Sequence, residues 1–234
     1  MKFAPLKLGL KMFYLKFKFL FYRVYVLFYL LSRLGVFKGN LPSDKTKLCI
    51  EGYPSSANSY FLNFASRFIK KSEISSHNHA IATIKYCAIR NIPTVFIIRH
   101  PLDAISSHMV RHGKSASEAI YHYLQLYEYV LKNRSRISVV NFSDVISDKS
   151  VFINKLSEIL REDLDAEINI KELDELVIRH LSLHDNKRDN ARTTSSLLPS
   201  SDKNLLKESV SPMLSQHGKY NDCIALYKTL HDLV

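Results

Sequence analysis

A chain of 234 residues with 46% hydrophobic content can bury one core of ordinary domain size. Its three cysteines, Cys49, Cys87 and Cys223, are odd in number and far apart, with neither a CxxC nor clustered His partners. That pattern argues against a disulfide framework or a zinc site and fits reduced, cytosolic thiols. The formal net charge of +11 would suggest nucleic acid, but residues 1–43 hold eight Lys/Arg and no acid, leaving 25 Lys/Arg against 22 Asp/Glu, a balance of +3, for the rest. Nucleic acid wants charge spread over a folded face, so no nucleic-acid partner is expected.

The basic, aromatic N-terminal segment comes first. Its longest charge-free run, Val24 to Ser32, is nine residues, far short of the ~20 needed to cross a bilayer. Positive charges scattered through the apolar part, with no small-residue cleavage site after them, make it a poor signal peptide. Lys7, Lys11 and Lys18 share one helical face while Lys16 and Arg23 fall on another, so the amphipathicity is imperfect and long side chains must snorkel. The expectation for residues 1–43 is an amphipathic helix on an anionic membrane surface, a peripheral and cytoplasmic arrangement; the alternative is a helix packed on its own domain. LPSDK then reads as a linker into a single domain, 44–234.

Lys47 to Ile69, KLCIEGYPSSANSYFLNFASRFI, reads as a strand that passes through a tight loop into a helix. Gly52 and Pro54 punctuate the apolar run, and Ala57, Tyr60, Phe61, Phe64, Ala65, Phe68 and Ile69 then recur at helical spacing. Ser55, Ser56, Asn58 and Ser59 fill the turn at the helix start, where free N–H groups and the helix dipole favour an anion. An ordinary Ser or Asn N-cap is the competing reading. The loop is not a Walker A motif, because it has no Lys and only one flanking Gly.

Next comes SSHNHA, which places His77 and His79 just before a helix with an apolar stripe of Ala80, Ile84, Cys87 and Ala88. Two His two residues apart, with no carboxylate or thiol at useful spacing, argue against a metal. Ile92 to Ile98 is continuously apolar, as expected of a parallel strand covered on both faces. It ends at Arg99, followed by Pro101 at a helix start and by Ser106 and Ser107 within that helix.

Together these segments resemble the sulfotransferase family that uses the donor PAPS (3′-phosphoadenosine 5′-phosphosulfate). GYPSSANSYF is similar to its 5′-phosphosulfate loop, which puts Ser55, Ser56, Ala57, Asn58, Ser59 and Tyr60 on the donor. RHPLDAISS is similar to its 3′-phosphate motif, with Arg99, Pro101, Asp103 and Ser107 at the matching offsets. The segment VVNFSDVISDKSVFINKLSEIL resembles the family's strand, aromatic–acidic turn and helix, so the likeness runs from about Lys47 to Leu160. It implies a general base among the residues between the two motifs, His77 matching best and His79 second. It departs from the pattern at Ser55, where the family carries Lys or Arg, and at Ala57, where Gly is usual.

Ser115 to Lys132 reads as a helix opened by the capping box SASE, its tyrosines Tyr121, Tyr123, Tyr127 and Tyr129 lining core or groove. A strand over Arg136 to Phe142 follows, then helices over Lys149 to Leu160 and Ile170 to Ser182. His184 to Ser201 is polar and aperiodic, a surface loop in which Lys187, Arg188 or Arg192 can be imagined on the nucleotide by analogy with the family. Asn221 to Leu233 is a closing helix. Alternating strands and helices of these lengths indicate βαβ units. The expectation is therefore a three-layer α/β sandwich with a central parallel sheet, the P-loop-like sulfotransferase fold. The resemblance implies sulfuryl transfer from PAPS, without a metal, to a hydroxyl acceptor, carbohydrate or glycolipid being favoured. The alternatives are a weak or inactive nucleotide-binding relative and a basic peripheral-membrane module.

Overall fold

The computed structural model describes residues 24, 26, 29, 30, 39–164, 169–183 and 201–234, and the backbone of 184–188. The expected membrane-surface helix falls almost wholly outside the described residues, as do Arg192 and the side chains of Lys187 and Arg188. Among the described residues no helix is long and apolar enough to cross a membrane.

Leu48–Gly52 forms β1, with every residue buried. Burial on both faces suits a parallel strand between two layers of helices. Ile74–Ser76 (β2), Thr94–Ile98 (β3) and Ser138–Asn141 (β4) complete a sheet of order β2-β1-β3-β4. All pairings are parallel, with Gly52 opposite Ile97 and Ile98 opposite Asn141. Asn58–Ala65 (α1) follows β1, Ile81–Ile89 (α2) follows β2, and Pro101–His112 (α3) and Ala116–Lys132 (α4) follow β3. After β4 come Phe142–Ser147 (α5), Ser150–Leu160 (α6), Ile170–Arg188 (α7), Ser201–Ser215 (α8) and Tyr220–His231 (α9).

Strand alternation sends side chains into two cores. Leu48, Ile50, Val95 and Ile97 pack with Phe61 and Phe64 of α1, Phe152 of α6 and Val177 of α7. Phe152 meets Phe61 edge-on at 4.7 Å, and truncating either to Ala would cost about 3–5 kcal/mol. On the other face, Phe96 and Ile98 pack with Ile84 of α2, Ile105 of α3, Tyr123 and Tyr127 of α4, and Cys223 of α9. The result is three layers, helix on sheet on helix.

Several boundaries differ from the sequence expectation, each for a local reason. Helix α1 ends at Ala65, with Ser66 as its C-cap. Arg67 N then donates to Phe64 O and Phe68 N to Ala65 O, i→i+3 bonds that tighten the turn while Ile69 stays buried. The aromatic–acidic turn after β4 is itself the short helix α5, capped by Asn141, whose side chain accepts from Ser143 N. Helix α7 extends into the stretch read as loop, and α8 lies beyond it with Pro212 inside, a residue that ordinarily signals a helix end. The sheet edge is closed at Asn40, which exchanges backbone hydrogen bonds with Ser76 at 2.9 and 3.1 Å. The chain is thus part of the domain before Asp44.

The sheet order puts a switch point between β1 and β3. From β1 the chain leaves to α1 on one face, and from β3 it leaves to α3 on the other, although the two strands are neighbours. Connections that diverge at the carboxyl ends of adjacent parallel strands open a crevice there.

Candidate functional site

The loop from Tyr53 to Ala57 leaves β1 at that crevice. Gly52 is required by close approach, because a Cβ on it would lie 2.8 Å from the Ile97 carbonyl oxygen and 3.0 Å from Asn58 Oδ1. Ser55 and Ala57 both hold left-handed backbone, φ 70° and 59°. For non-Gly residues this costs ~1–2 kcal/mol each, and strain of this kind clusters at ligand sites. The position where the resemblance expects Gly is therefore one where the backbone does need left-handed φ, with Ala accommodating it. Ala57 caps α1 without a side-chain hydrogen bond. The helix thus presents amides that no side chain at the cap occupies.

Arg99 approaches this loop from the end of β3. Its Nη1 donates to the Ser55 carbonyl at 2.7 Å, and its guanidinium stands 4.5 Å from the Phe142 ring centroid. Burial pulls its pKa below the ordinary value, with Asp103 opposing, yet a guanidinium remains charged in a protein. The backbone of Arg99 is held by tyrosines of α4: its N–H donates to Tyr127 Oη at 2.8 Å, and its carbonyl accepts from Tyr123 Oη at 2.8 Å. Tyr123 and Tyr127 stack at 3.8 Å. Tyr121, by contrast, is exposed.

Three donors in this crevice lack partners among the described residues: Ser55 Oγ, Ser56 Oγ and Arg99 Nε, all buried. Leaving a buried donor unpaired costs about 1–3 kcal/mol. Asn58 closes the loop by donating from Nδ2 to the Tyr53 carbonyl at 3.1 Å. Ser59 and Tyr60 are otherwise engaged. Ser59 Oγ lies 3.0 Å from His77 Nε2, and Tyr60 donates to Asp174 of α7 at 2.6 Å. Ser107 is buried in the second turn of α3 and is not among the residues tied to the loop.

The turn His77–His79 after β2 completes the site. His77 bridges two elements, with Nε2 on Ser59 and Nδ1 3.1 Å from Ser76 Oγ. His79 Nδ1 lies 2.8 Å from the Gly52 carbonyl oxygen. A carbonyl only accepts, so the proton sits on Nδ1 and the Nε2 lone pair is left open. His122 Nε2 donates to the His79 carbonyl at 3.0 Å. Beneath the turn lies Glu51, fully buried in β1, accepting at Oε1 from Asn78 N and Nδ2 (both 3.0 Å) and at Oε2 from His79 N (2.9 Å). Sequence reasoning missed Glu51 as a site residue, although a lone charge inside LCIEGY was the available signal. It also missed Phe142 as the platform for Arg99. Among the described residues no group of His, Cys, Asp and Glu is placed to hold a metal ion.

No protein-family model and no curated protein matches the chain. Among solved structures, it is similar to the crystal structure of mouse sulfotransferase SULT7A1 complexed with PAP. The identity is 14%, over 80% of this chain and 84% of that one, with a TM-score of 0.44. A likeness of that size carries no functional weight.

Proposed function

We propose that the protein transfers a sulfuryl group from PAPS to an acceptor hydroxyl, binding the donor in the crevice between the ends of β1 and β3. The observation that carries this reading is the set of three unpartnered buried donors, Ser55 Oγ, Ser56 Oγ and Arg99 Nε, gathered at one topological switch point. Hydroxyls, loop amides and a guanidinium at a helix start suit a dianionic phosphate or phosphosulfate. The order of the two motifs in the chain adds the nucleotide. In this reading Ser55, Ser56, the backbone of Ala57 and Asn58, and Arg99 hold the donor, with Ser107 on the 3′-phosphate. Arg99 also brings cationic charge to a loop whose position 55 is Ser rather than Lys or Arg.

The chemistry asks for one base. As the acceptor oxygen bonds to sulfur, its proton passes to a side chain, and the bond from sulfur to the phosphate oxygen breaks with the electron pair leaving on phosphate. Of the two candidate histidines, both ring nitrogens of His77 face serine hydroxyls, whereas His79 has one nitrogen fixed on a carbonyl and the other open. His79 is therefore the base and His77 a brace between α1 and β2. The test incubates the protein with sulfur-labelled PAPS and a panel of sugars, glycolipids and tyrosyl peptides. The expected result is release of 3′-phosphoadenosine 5′-phosphate with label on one acceptor class. Tight binding of that product without any release would instead support a non-catalytic nucleotide-binding relative, for which Ser55 is the motivating departure.

A further inference from the structure

Glu51 is a carboxylate in the middle of a parallel strand, buried on every side. Such burial is costly unless the group is fully hydrogen-bonded, and all its hydrogen bonds go to one turn. Asn78 N, Asn78 Nδ2 and His79 N donate to it at 3.0, 3.0 and 2.9 Å, and His79 Nδ1 stands 3.9 Å from Oε2. The turn it grips is strained: His77 and His79 both have left-handed backbone, φ 62° and 50°, at ~1–2 kcal/mol each. We infer that Glu51 is the positioning residue for His79, holding the ring in the tautomer that donates from Nδ1 to Gly52 and stabilising the imidazolium that forms when Nε2 takes a proton. This rests on the reading of His79 as the base.

The geometry supports both parts of that role. With His79 N–H fixed on Oε2 and Nδ1–H fixed on the Gly52 carbonyl, the ring is held at both its backbone and its side chain. The Glu51 carboxyl, fixed by three donors with Oε2 3.9 Å from His79 Nδ1, is placed to face the ring as Nε2 takes a proton. Burial raises the Glu51 carboxyl above its ordinary pKa, and the His79 charge and the turn's amides oppose this. The carboxylate is thus most stable when His79 is charged, the state that proton transfer creates.

The experiment combines nitrogen-15 NMR of the His79 side chain with the hydrolysis of PAPS, water serving as acceptor, in the full chain and in Glu51→Gln. Glutamine would set an amide N–H against the turn's own donors. The expected results are a single Nδ1-protonated tautomer in the wild type and a tautomer mixture in the variant. Hydrolysis should fall roughly a hundredfold, with affinity for 3′-phosphoadenosine 5′-phosphate unchanged. A variant that melts earlier yet keeps the single tautomer and the hydrolysis rate would overturn the inference, leaving Glu51 a structural residue. Should Glu51→Gln fail to fold, the wild-type spectrum still decides, because a proton on Nε2 contradicts the assignment. Glu51→Asp, which keeps the charge but withdraws it, must likewise lose the single tautomer. His79→Ala separates the two claims: full hydrolysis there removes the base and leaves the Glu51–His79 contact standing.

Discussion

Arg99 and Ser55 are 44 residues apart in sequence, yet Nη1 of one donates to the carbonyl of the other at 2.7 Å. That bond joins the end of β3 to the loop after β1 and sets a guanidinium beside the start of α1.

Tyr127 should be as important to the crevice as the loop itself. Its hydroxyl accepts from Arg99 N–H, so Tyr127→Phe leaves a backbone donor without its partner, at about 1–3 kcal/mol. Denaturant unfolding should show a lower midpoint, and product-nucleotide binding should weaken in parallel. An unchanged midpoint would mean that Arg99 finds another acceptor.

The two histidines should separate by function. His79→Ala should slow PAPS turnover by about 10²–10⁴-fold with nucleotide affinity retained. His77→Ala should mainly lower stability, by about 1 kcal/mol for lost side-chain hydrogen bonds. Turnover and melting measured side by side on the two variants check this, and the reverse pattern would return the base to His77.

Ala57 has a left-handed backbone at φ 59°. Gly relieves ~1–2 kcal/mol of strain there but returns ~0.4–1 kcal/mol of unfolded-state entropy. Ala57→Gly should therefore be stabilising by roughly 0.5–1 kcal/mol, seen as a raised melting temperature. A lowered one would show that the loop is not strained.

Much of the fold was legible because its signals are local. VFII is a continuous apolar run and LCIEG is apolar but for Glu51, as suits strands covered on both faces, and Ser115 caps α4 by accepting from Glu118 N as SASE implies. The meeting of the loop with Arg99 at the candidate site was legible, since both sit at the ends of neighbouring strands. The site's internal order was not. Glu51 meets Asn78 and His79 only after β1 and β2 pair, 27 and 28 residues along the chain, and Phe142 reaches Arg99 only through the pairing of β3 with β4. Pro212 hid α8, because a proline within a helix reads as its end.

Acid should loosen the helical layer that holds α3. Burial pushes His112 down to about 4, aided by Arg111, His79, Lys114 and Lys203, and burial beside His122 and His112 holds His108 lower still. Both are neutral in the fold, while the unfolded chain takes up protons near pH 6.5. The contribution of His112 is therefore complete above about 6.5 and lost as pH falls to about 4, while that of His108 goes on being lost below that. Glu51 acts in the opposite sense, its raised carboxyl making ionisation with rising pH unfavourable to the fold. Melting temperature against pH should show a shallower acid loss in His112→Gln than in the wild type, and parallel curves would contradict the assignment.

The central claim is the anion crevice, and calorimetric titration with 3′-phosphoadenosine 5′-phosphate tests it most directly, wild type against Arg99→Ala. The expected result is saturable one-to-one binding that weakens roughly tenfold or more in the variant, the worth of a charge-assisted contact of ~1.5–3 kcal/mol. Equal affinity in a folded Arg99→Ala protein, or no binding by the wild type, would contradict the account.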